Sequence, residues 1–172
     1  PFFVNSPHGI IMAHNGNVVN YQELKRLLFN ECRRIVNSDN DVEVILNLFA
    51  QELARQNKQT LRPEDIYEAV QGVFAKVQGS YSVIAYIAGQ GMVAFRDPYG
   101  IKPLVFGTRN KGLHPEYAFA SETVSLNLMN FSNIKDLKPG EVIFIDQKRR
   151  FHSRVLTHGR RTPCLFEWVY FA

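Results

Sequence analysis

Three helices are predicted in the first half of the chain, each from apolar residues that recur every three or four positions. The first follows Asn20, which fits a capping box with Glu23, and the second follows Asn40, which fits the same pattern with Glu43. The third begins near Pro63, a favoured first-turn residue. The apolar stripes are Leu24, Leu27, Leu28, Cys32 and Ile35; Val42, Ile45, Leu46, Phe49 and Leu53; and Ile66, Val70, Val73, Phe74 and Val77.

Strands are predicted once near the start and repeatedly after residue 80. An apolar run at 8–13 predicts a buried strand, and the residues 14–17 that follow it are typical of a turn. The segment 81–88 is apolar on both faces, so we expect it to be covered on both sides, by sheet packed on sheet with helices outside. The pattern thus predicts an α+β fold with a mostly antiparallel sheet. The later strands are predicted at 92–95, 104–107, 117–120, 141–146 and 151–155, with a short helix at 121–129.

Composition narrows the class of protein. The chain has 172 residues, of which 45% are hydrophobic and 21% charged, and this excludes a disordered tail. The formal charge of +4 is too small to indicate a nucleic-acid binder by itself. No apolar run approaches the roughly 20 residues of a membrane span, and no signal peptide opens the chain. Two cysteines cannot form a disulfide framework, so we expect a reducing, cytoplasmic location.

The two ends are unusual for a natural protein. The chain begins with Pro1 rather than Met, and it stops within an aromatic run at 166–172. We expect it to be a piece of a longer protein. The polar stretch after Leu156 is typical of a linker, and it divides the chain into a domain at 1–158 and, at 159–172, the linker with the start of a further domain.

Two positions could carry chemistry. Asn15 and Gly16 form the dipeptide most typical of a hairpin turn, but they could also supply a side-chain NH₂ and a backbone N–H to a developing oxyanion. Asp41 lies in the first turn of a predicted helix, where the helix dipole favours an acid. It could instead receive an ammonium group from a ligand.

The remaining candidate nucleophiles and ligands have weaker support. Cys32 falls on the apolar stripe of the first helix, which indicates a buried structural thiol. Cys164 has no neighbouring cysteine at metal-ligand spacing. His8 and His14 flank the first predicted strand, and neither has a Ser or Cys partner that spacing would reveal.

Six segments together resemble the glutamine amidotransferase domains of the amidophosphoribosyltransferase family, and they extend along the whole chain. The His-Asn-Gly motif at 14–16 and the acidic Asp41 are shared with asparagine synthetase and glucosamine-phosphate synthase relatives. The closing Phe-Glu-Trp-Val-Tyr-Phe-Ala discriminates, because it resembles the lead into a phosphoribosyltransferase domain. The matching segments are 1–7, 13–17, 38–50, 95–104, 120–122 and 163–172.

The resemblance implies a four-layer αββα N-terminal-nucleophile hydrolase fold, incomplete here at its N-terminus. In that family an N-terminal Cys attacks the side-chain amide of glutamine, with its own α-amino group as base, and a γ-glutamyl thioester forms. The released ammonia passes to a phosphoribosyltransferase domain. There it displaces pyrophosphate from phosphoribosyl pyrophosphate and gives 5-phosphoribosylamine for de novo purine synthesis.

Position by position, the resemblance assigns Asn15 and Gly16 to the oxyanion hole and Asp41 to the glutamine α-amino group. Residue 1 is Pro, so the nucleophilic Cys is absent, and the Arg that grips the glutamine carboxylate is expected upstream. Neither cysteine of the chain can replace the nucleophile, because neither has a free amine beside its thiol. We therefore expect the chain to be inactive alone.

The resemblance also implies cofactors and partners. No cofactor is expected in this chain, and Mg²⁺ is expected in the missing phosphoribosyltransferase domain. Cys164 matches a position that ligates an iron–sulfur cluster in some members and not in others, so cluster content stays open. The expected partners are glutamine, the phosphoribosyltransferase domain of the same polypeptide and further copies in a homo-oligomer, with neither nucleic acid nor a membrane.

Two alternatives stay open at this point. One is the amidotransferase domain of an asparagine synthetase-like enzyme, which would use ATP and aspartate. The other is a non-catalytic glutamine-binding domain that keeps Asn15 and Asp41 as its pocket.

Overall fold

Two antiparallel sheets and four helices make up the described part of the chain. The computed structural model describes residues 1–110, 112, 115–157, 162, 164 and 169. The helices are α1 (Tyr21–Asn30), α2 (Asp41–Gln56), α3 (Pro63–Phe74) and α4 (Thr123–Leu128). The strands are β1 (Phe2–Val4), β2 (Ile10–Val18), β3 (Gly79–Ile87), β4 (Gly91–Arg96), β5 (Val105–Arg109), β6 (Glu116–Ala120), β7 (Ser132–Asp136), β8 (Glu141–Asp146) and β9 (Phe151–Val155).

The six-stranded sheet has the order β1-β2-β3-β4-β8-β9, and the three-stranded sheet has the order β6-β5-β7. Helices cover one face of the larger sheet, where Phe49 of α2 and Phe74 of α3 lie with their ring centroids 6.2 and 6.0 Å from that of Phe95 in β4. The opposite face carries Ala94, Ile143 and Ile145, which pack against aromatic side chains of the smaller sheet. The two sheets therefore stack face to face, as predicted.

The short helix α4 forms the fourth layer. Leu126 of α4 lies against Gly107 in β5, whereas the neighbouring Phe106 points to the larger sheet. Because successive strand residues face opposite sides, α4 covers the outer face of the smaller sheet. The layers thus follow the order helix, sheet, sheet, helix, and the expected αββα architecture is confirmed.

The turn predicted at residues 14–17 is wrong. Residues 10–18 form one continuous strand, in which Asn15 pairs with Ser82 and Gly16 with Tyr81. The partner strand β3 begins at Gly79, two residues earlier than predicted, and pairs along the full length of β2. Strand pairing over nine residue pairs thus outweighs the local turn preference of Asn-Gly.

The start of α1 also differs from the prediction. Asn20 makes no side-chain cap, and its amide instead bridges to the loop before β3, donating to the carbonyl of Lys76 at 2.9 Å and accepting from the N–H of Gln78 at 3.0 Å. The helix ends at Asn30, so Cys32 lies beyond it and is only partly buried against the core. Ile35, predicted on the apolar stripe, is 68% exposed.

Three further boundaries follow from local chemistry. Asn40 caps α2 as predicted, accepting a hydrogen bond from the N–H of Val42 at 3.1 Å. Helix α3 begins at Pro63 as predicted, but it ends at Phe74, before Val77 of the predicted apolar stripe.

None of the helices in the described ranges is both long and apolar enough to cross a membrane. The division of the chain at residue 158 and most of 159–172 lie outside the described residues.

Candidate functional site

Gly16 presents its backbone N–H along an open edge of β2. Strand β1 pairs only with Ile10–Met12 of β2, so no strand of the described residues lies beside the later part of β2 on that side. Opposite Gly16, Tyr81 accepts from the N–H of Asp97 and donates its own N–H to the Asp97 carboxylate at 3.3 Å, so its hydrogen bonds point away from β2. The N–H of Val18 points to the open edge, and N–H groups of alternate strand residues point the same way. The N–H of Gly16 therefore faces the open edge.

A side chain at position 16 would not fit. A Cβ built on Gly16 lies 2.1 Å from the carbonyl oxygen of Ser80 and 2.7 Å from the Cα of Tyr81. Contacts this short mean that the backbone of β3 approaches too closely for any residue except glycine. Gly16 is thus required by the strand pairing, in addition to any role of its N–H.

Asn15 lies on the face of β2 that points away from the helices. Because side chains alternate along a strand, it shares this face with Ile11 and Ala13, which are both exposed. Asn15 itself is half-buried, and its amide has no hydrogen bond to another described residue. Asn15 therefore carries an amide that makes no such bond, and it directly precedes Gly16, whose N–H faces the open edge.

Asp41 is the first residue of α2 and lies against the same edge of β2. Its Oδ2 accepts a hydrogen bond from the N–H of Val18 at 3.0 Å. Its Oδ1 lies 3.1 Å from Nε2 of His14. The side chain is 20% exposed, so this carboxylate remains accessible to a ligand. The N-terminus of α2 adds a favourable potential for its negative charge.

The loop before Asp41 is organised by Glu43, which the sequence assigned to a capping box. Instead of reaching back to Asn40, the Glu43 carboxylate accepts from the N–H groups of Asn37 and Ser38, both at 2.8 Å, and from the Ser38 hydroxyl at 2.6 Å. Burial alone would raise the pKa of Glu43, but these hydrogen bonds outweigh it and hold the pKa below its usual value. Tyr21 adds a hydrogen bond from its hydroxyl to the carbonyl of Ser38 at 2.7 Å.

His14 is the site residue that sequence reasoning left without a role. Its side chain is 9% exposed and lies on the helix-facing side of β2, where it meets Asp41. Nothing in the local sequence indicates this contact, since the two residues are far apart in the chain. Only the packing of α2 against β2 brings them together.

Among the described residues, neither cysteine forms a hydrogen bond with Asn15, Gly16 or Asp41. Cys32 and Cys164 are both partly buried free thiols, and the backbone N–H of Cys164 donates to the carbonyl of Ile101 at 3.2 Å. Within the described ranges, no group of three or more His, Cys, Asp or Glu side chains could hold a metal ion. Two cysteines in the whole chain are too few for the four thiolates of a typical iron–sulfur cluster.

Donors and a carboxylate thus follow one another along the open edge of β2. The N–H groups of Gly16 and Val18 are two residues apart, which is about 7 Å along a strand. Asp41 lies at the Val18 end, where its carboxylate accepts the hydrogen bond from Val18, and Asn15 is the strand residue next to Gly16. This edge can hold a small molecule that carries a cationic group at one end and a carbonyl oxygen at the other.

The chain matches a known protein family and curated relatives over most or all of its length. The profile described as "Glutamine amidotransferase domain" matches residues 1–127. The chain is 44% identical over 173 residues to an amidophosphoribosyltransferase of Pasteurella multocida, and 43% identical over 178 residues to that of Saccharomyces cerevisiae. Both alignments include all of this chain but only 34% and 35% of the relatives' own lengths.

Solved structures show the same fold. The glutamine phosphoribosylpyrophosphate amidotransferase of B. subtilis, complexed with ADP and GMP, superimposes with a TM-score of 0.76 at 24% identity. That match covers 99% of this chain and 34% of the other. A protein of Pseudomonas aeruginosa described as a "predicted glutamine amidotransferase" matches with a TM-score of 0.65 at 16% identity, over 90% of this chain and 64% of the other. At these identities the matches establish the fold.

Proposed function

This chain belongs to the glutamine amidotransferase family, and from that premise we propose that the open edge of β2 binds glutamine. Asp41 holds the α-ammonium group, and Asn15 and Gly16 hold the side-chain carbonyl oxygen. The observation that carries this proposal is that the Gly16 N–H and the carboxylate of Asp41, the first residue of α2, both lie at the open edge of β2.

The length of the ligand supports this assignment. The α-nitrogen and the side-chain carbonyl carbon of an extended glutamine are separated by four bonds, or about 5 Å. The N–H groups of Val18 and Gly16 are about 7 Å apart, given about 3.4 Å per strand residue, so the ligand and this stretch of the edge are of similar length. Glutamine lying along the edge can therefore engage both ends of the site together.

The chemistry follows from what each group offers. When a thiolate attacks the side-chain carbonyl carbon, the oxygen gains negative charge, and the Asn15 amide and the Gly16 N–H stabilise it. Loss of one such donor costs about 10²–10³ in turnover in other oxyanion holes, and we expect the same for Asn15. Asp41 holds the substrate in register, and this removes the entropic cost of positioning from the chemical step.

These 172 residues do not supply the nucleophile themselves. Residue 1 is Pro, and neither Cys32 nor Cys164 carries a free amine beside its thiol. We infer that they bind glutamine weakly and do not hydrolyse it alone. Release of ammonia from glutamine by these residues without any added Cys would contradict this inference.

The whole protein is proposed to be an amidophosphoribosyltransferase. The chain spans about a third of the length of its curated relatives, and the alignments include all of it. Because these relatives are amidophosphoribosyltransferases, this activity is favoured over that of an asparagine synthetase-like enzyme. Ammonia would pass to a phosphoribosyltransferase domain and displace pyrophosphate from phosphoribosyl pyrophosphate, giving 5-phosphoribosylamine. We place Mg²⁺ in that domain and none in these residues, and we propose a homo-oligomer for the whole protein.

The glutamine site is tested by nuclear magnetic resonance titration of the 172-residue chain. We expect L-glutamine to shift the amide signals of Gly16 and Val18 and to bind more tightly than 4-carbamoylbutanoate, which lacks the α-amino group. Asp41→Asn should remove this preference. Asp39→Asn is the matched control, because Asp39 lies in the same loop with a side chain that is 92% exposed.

Three results would count against the proposal. These are no saturable shift at Gly16 and Val18, no preference for L-glutamine in the unmodified chain, or a preference that survives Asp41→Asn. Tight binding by the 172 residues would instead favour a non-catalytic glutamine-binding domain.

A further inference from the structure

The ring of His14 lies in close contact with the carboxylate of Asp41. Nε2 is 3.1 Å from Oδ1 of Asp41, and the His14 side chain is 91% buried, since 9% is exposed. Apart from this close contact with the carboxylate, Nε2 has no hydrogen-bond partner among the described residues. Burying a polar atom without a partner is unfavourable, so the Asp41 carboxylate is the group that this nitrogen depends on.

The strand β2 contacts the Asp41 carboxylate from two positions. The backbone N–H of Val18 donates to Oδ2, and the ring of His14 lies against Oδ1. Both groups belong to a strand that is paired with β3 along its whole length, so both are held rigidly. One contact alone would leave the carboxylate able to rotate about its side-chain bonds, whereas two contacts define its plane.

We propose that His14 is a positioning residue that orients Asp41 toward the α-ammonium group of glutamine. This inference rests on the proposed function. Charge-assisted hydrogen bonds are strong only when donor and acceptor are aligned, so a carboxylate held in one orientation binds an ammonium group better than a mobile one. The effect of His14 must then appear only with ligands that carry that group.

The pair of ligands used above separates this role from a general structural one. In His14→Leu, L-glutamine should bind about tenfold more weakly, because the ligand must then immobilise the Asp41 side chain. The affinity for 4-carbamoylbutanoate should stay unchanged, because that ligand does not engage Asp41. His14→Gln should recover most of the loss, since its side-chain amide nitrogen reaches as far as Nε2 of histidine.

The amide signal of Val18 gives a local reading of the same effect. Its N–H donates to Oδ2 of Asp41, so a change in the carboxylate orientation should shift this signal before any ligand is added. If His14→Leu does not fold, His14→Asn has the same expected outcome, because its shorter amide does not reach Asp41.

The outcomes distinguish this inference from the proposed function. If the unmodified chain fails to prefer L-glutamine, the role of Asp41 fails and the inference falls with it. If that preference exists but survives in His14→Leu, or if both ligands weaken by the same factor, only the role of His14 is overturned.

Discussion

The carboxylate of Asp41 accepts a hydrogen bond from the backbone N–H of Val18 at 3.0 Å and so joins the start of α2 to the open edge of β2. Asp41→Ala removes this acceptor, and we expect the free energy of unfolding to fall by about 1 kcal/mol or more. Asp41→Asn keeps an acceptor oxygen and loses only the favourable charge at the helix N-terminus, so its loss should be smaller, about 0.3–1 kcal/mol. Urea denaturation measures both, and equal losses would contradict the structural role of the hydrogen bond.

Gly16→Ala should destabilise the chain by about 1–3 kcal/mol, because the new Cβ would collide with the backbone of β3 rather than with a movable side chain. The same substitution at Gly112, where a Cβ meets no atom of the described residues within 4 Å, is the matched control and should change stability little. Thermal unfolding followed by circular dichroism compares the two. An equal effect at both positions would mean that the β2–β3 pairing can relax around the added methyl group.

Tyr81→Phe should leave stability unchanged or raise it. The Tyr81 side chain is fully buried, and its hydroxyl has no hydrogen-bond partner in the described ranges. Burial and the nearby Asp97 charge raise the pKa of this phenol, so it stays neutral. Removing an unsatisfied hydroxyl removes the cost of taking it out of water.

Tyr21→Phe serves as the comparison, because the hydroxyl of Tyr21 donates to the carbonyl of Ser38 at 2.7 Å. Here we expect a loss of about 1 kcal/mol in the free energy of unfolding. A loss of similar size in Tyr81→Phe would show that the buried phenol has a partner after all.

Glu43→Gln should loosen the loop that leads into Asp41. An amide cannot accept hydrogen bonds at both of its ends, so one N–H of Asn37 or Ser38 loses its acceptor, at a cost of about 1–3 kcal/mol. Glu68→Gln, an exposed position on α3, should stay within about 0.5 kcal/mol of the unmodified chain. Denaturant unfolding of the two variants measures the difference, and a Glu43 variant as stable as the Glu68 variant would refute the role of this carboxylate.

Lowering the pH should remove the contribution of the Asp146 carboxylate to the free energy of unfolding. Burial alone would raise the pKa of Asp146, but hydrogen bonds from Arg150 and His152 outweigh it and lower the pKa from 3.8 to about 2. A lowered folded-state pKa stabilises the fold above the unfolded value, and this contribution disappears as the pH falls through the folded value. Stability should therefore decline between pH 4 and about 2.

Asp146→Asn is the test of that pH dependence. The variant should be less stable than the unmodified chain at pH 7, and the difference between the two should shrink as the pH falls toward 2. Parallel pH profiles would show that Asp146 does not titrate as described.

Local sequence patterns predicted much of the fold. Strands β8 (Glu141–Asp146) and β9 (Phe151–Val155) begin and end where expected, because apolar residues bounded by turn-forming residues specify a strand without reference to the rest of the chain. The Asn40 cap of α2 is likewise a local interaction. By contrast, β1 and β7 were not predicted. Strand β1 has only three residues, and β7 is mostly exposed, so neither shows a clear alternation of apolar and polar residues.

The sequence alone determined the layer order and the residue types of the candidate site, including Asn15, Gly16 and Asp41. Only the tertiary structure decided that Gly16 lies within a strand, that its N–H faces an open edge, and that His14 meets Asp41 there. The spacing of apolar residues and the capping of helices depend on residues close together in the chain, so both can be recognised from the sequence. Strand pairing and the docking of α2 on β2 depend on residues far apart, and the free energy of those contacts overrides the local preference for a turn.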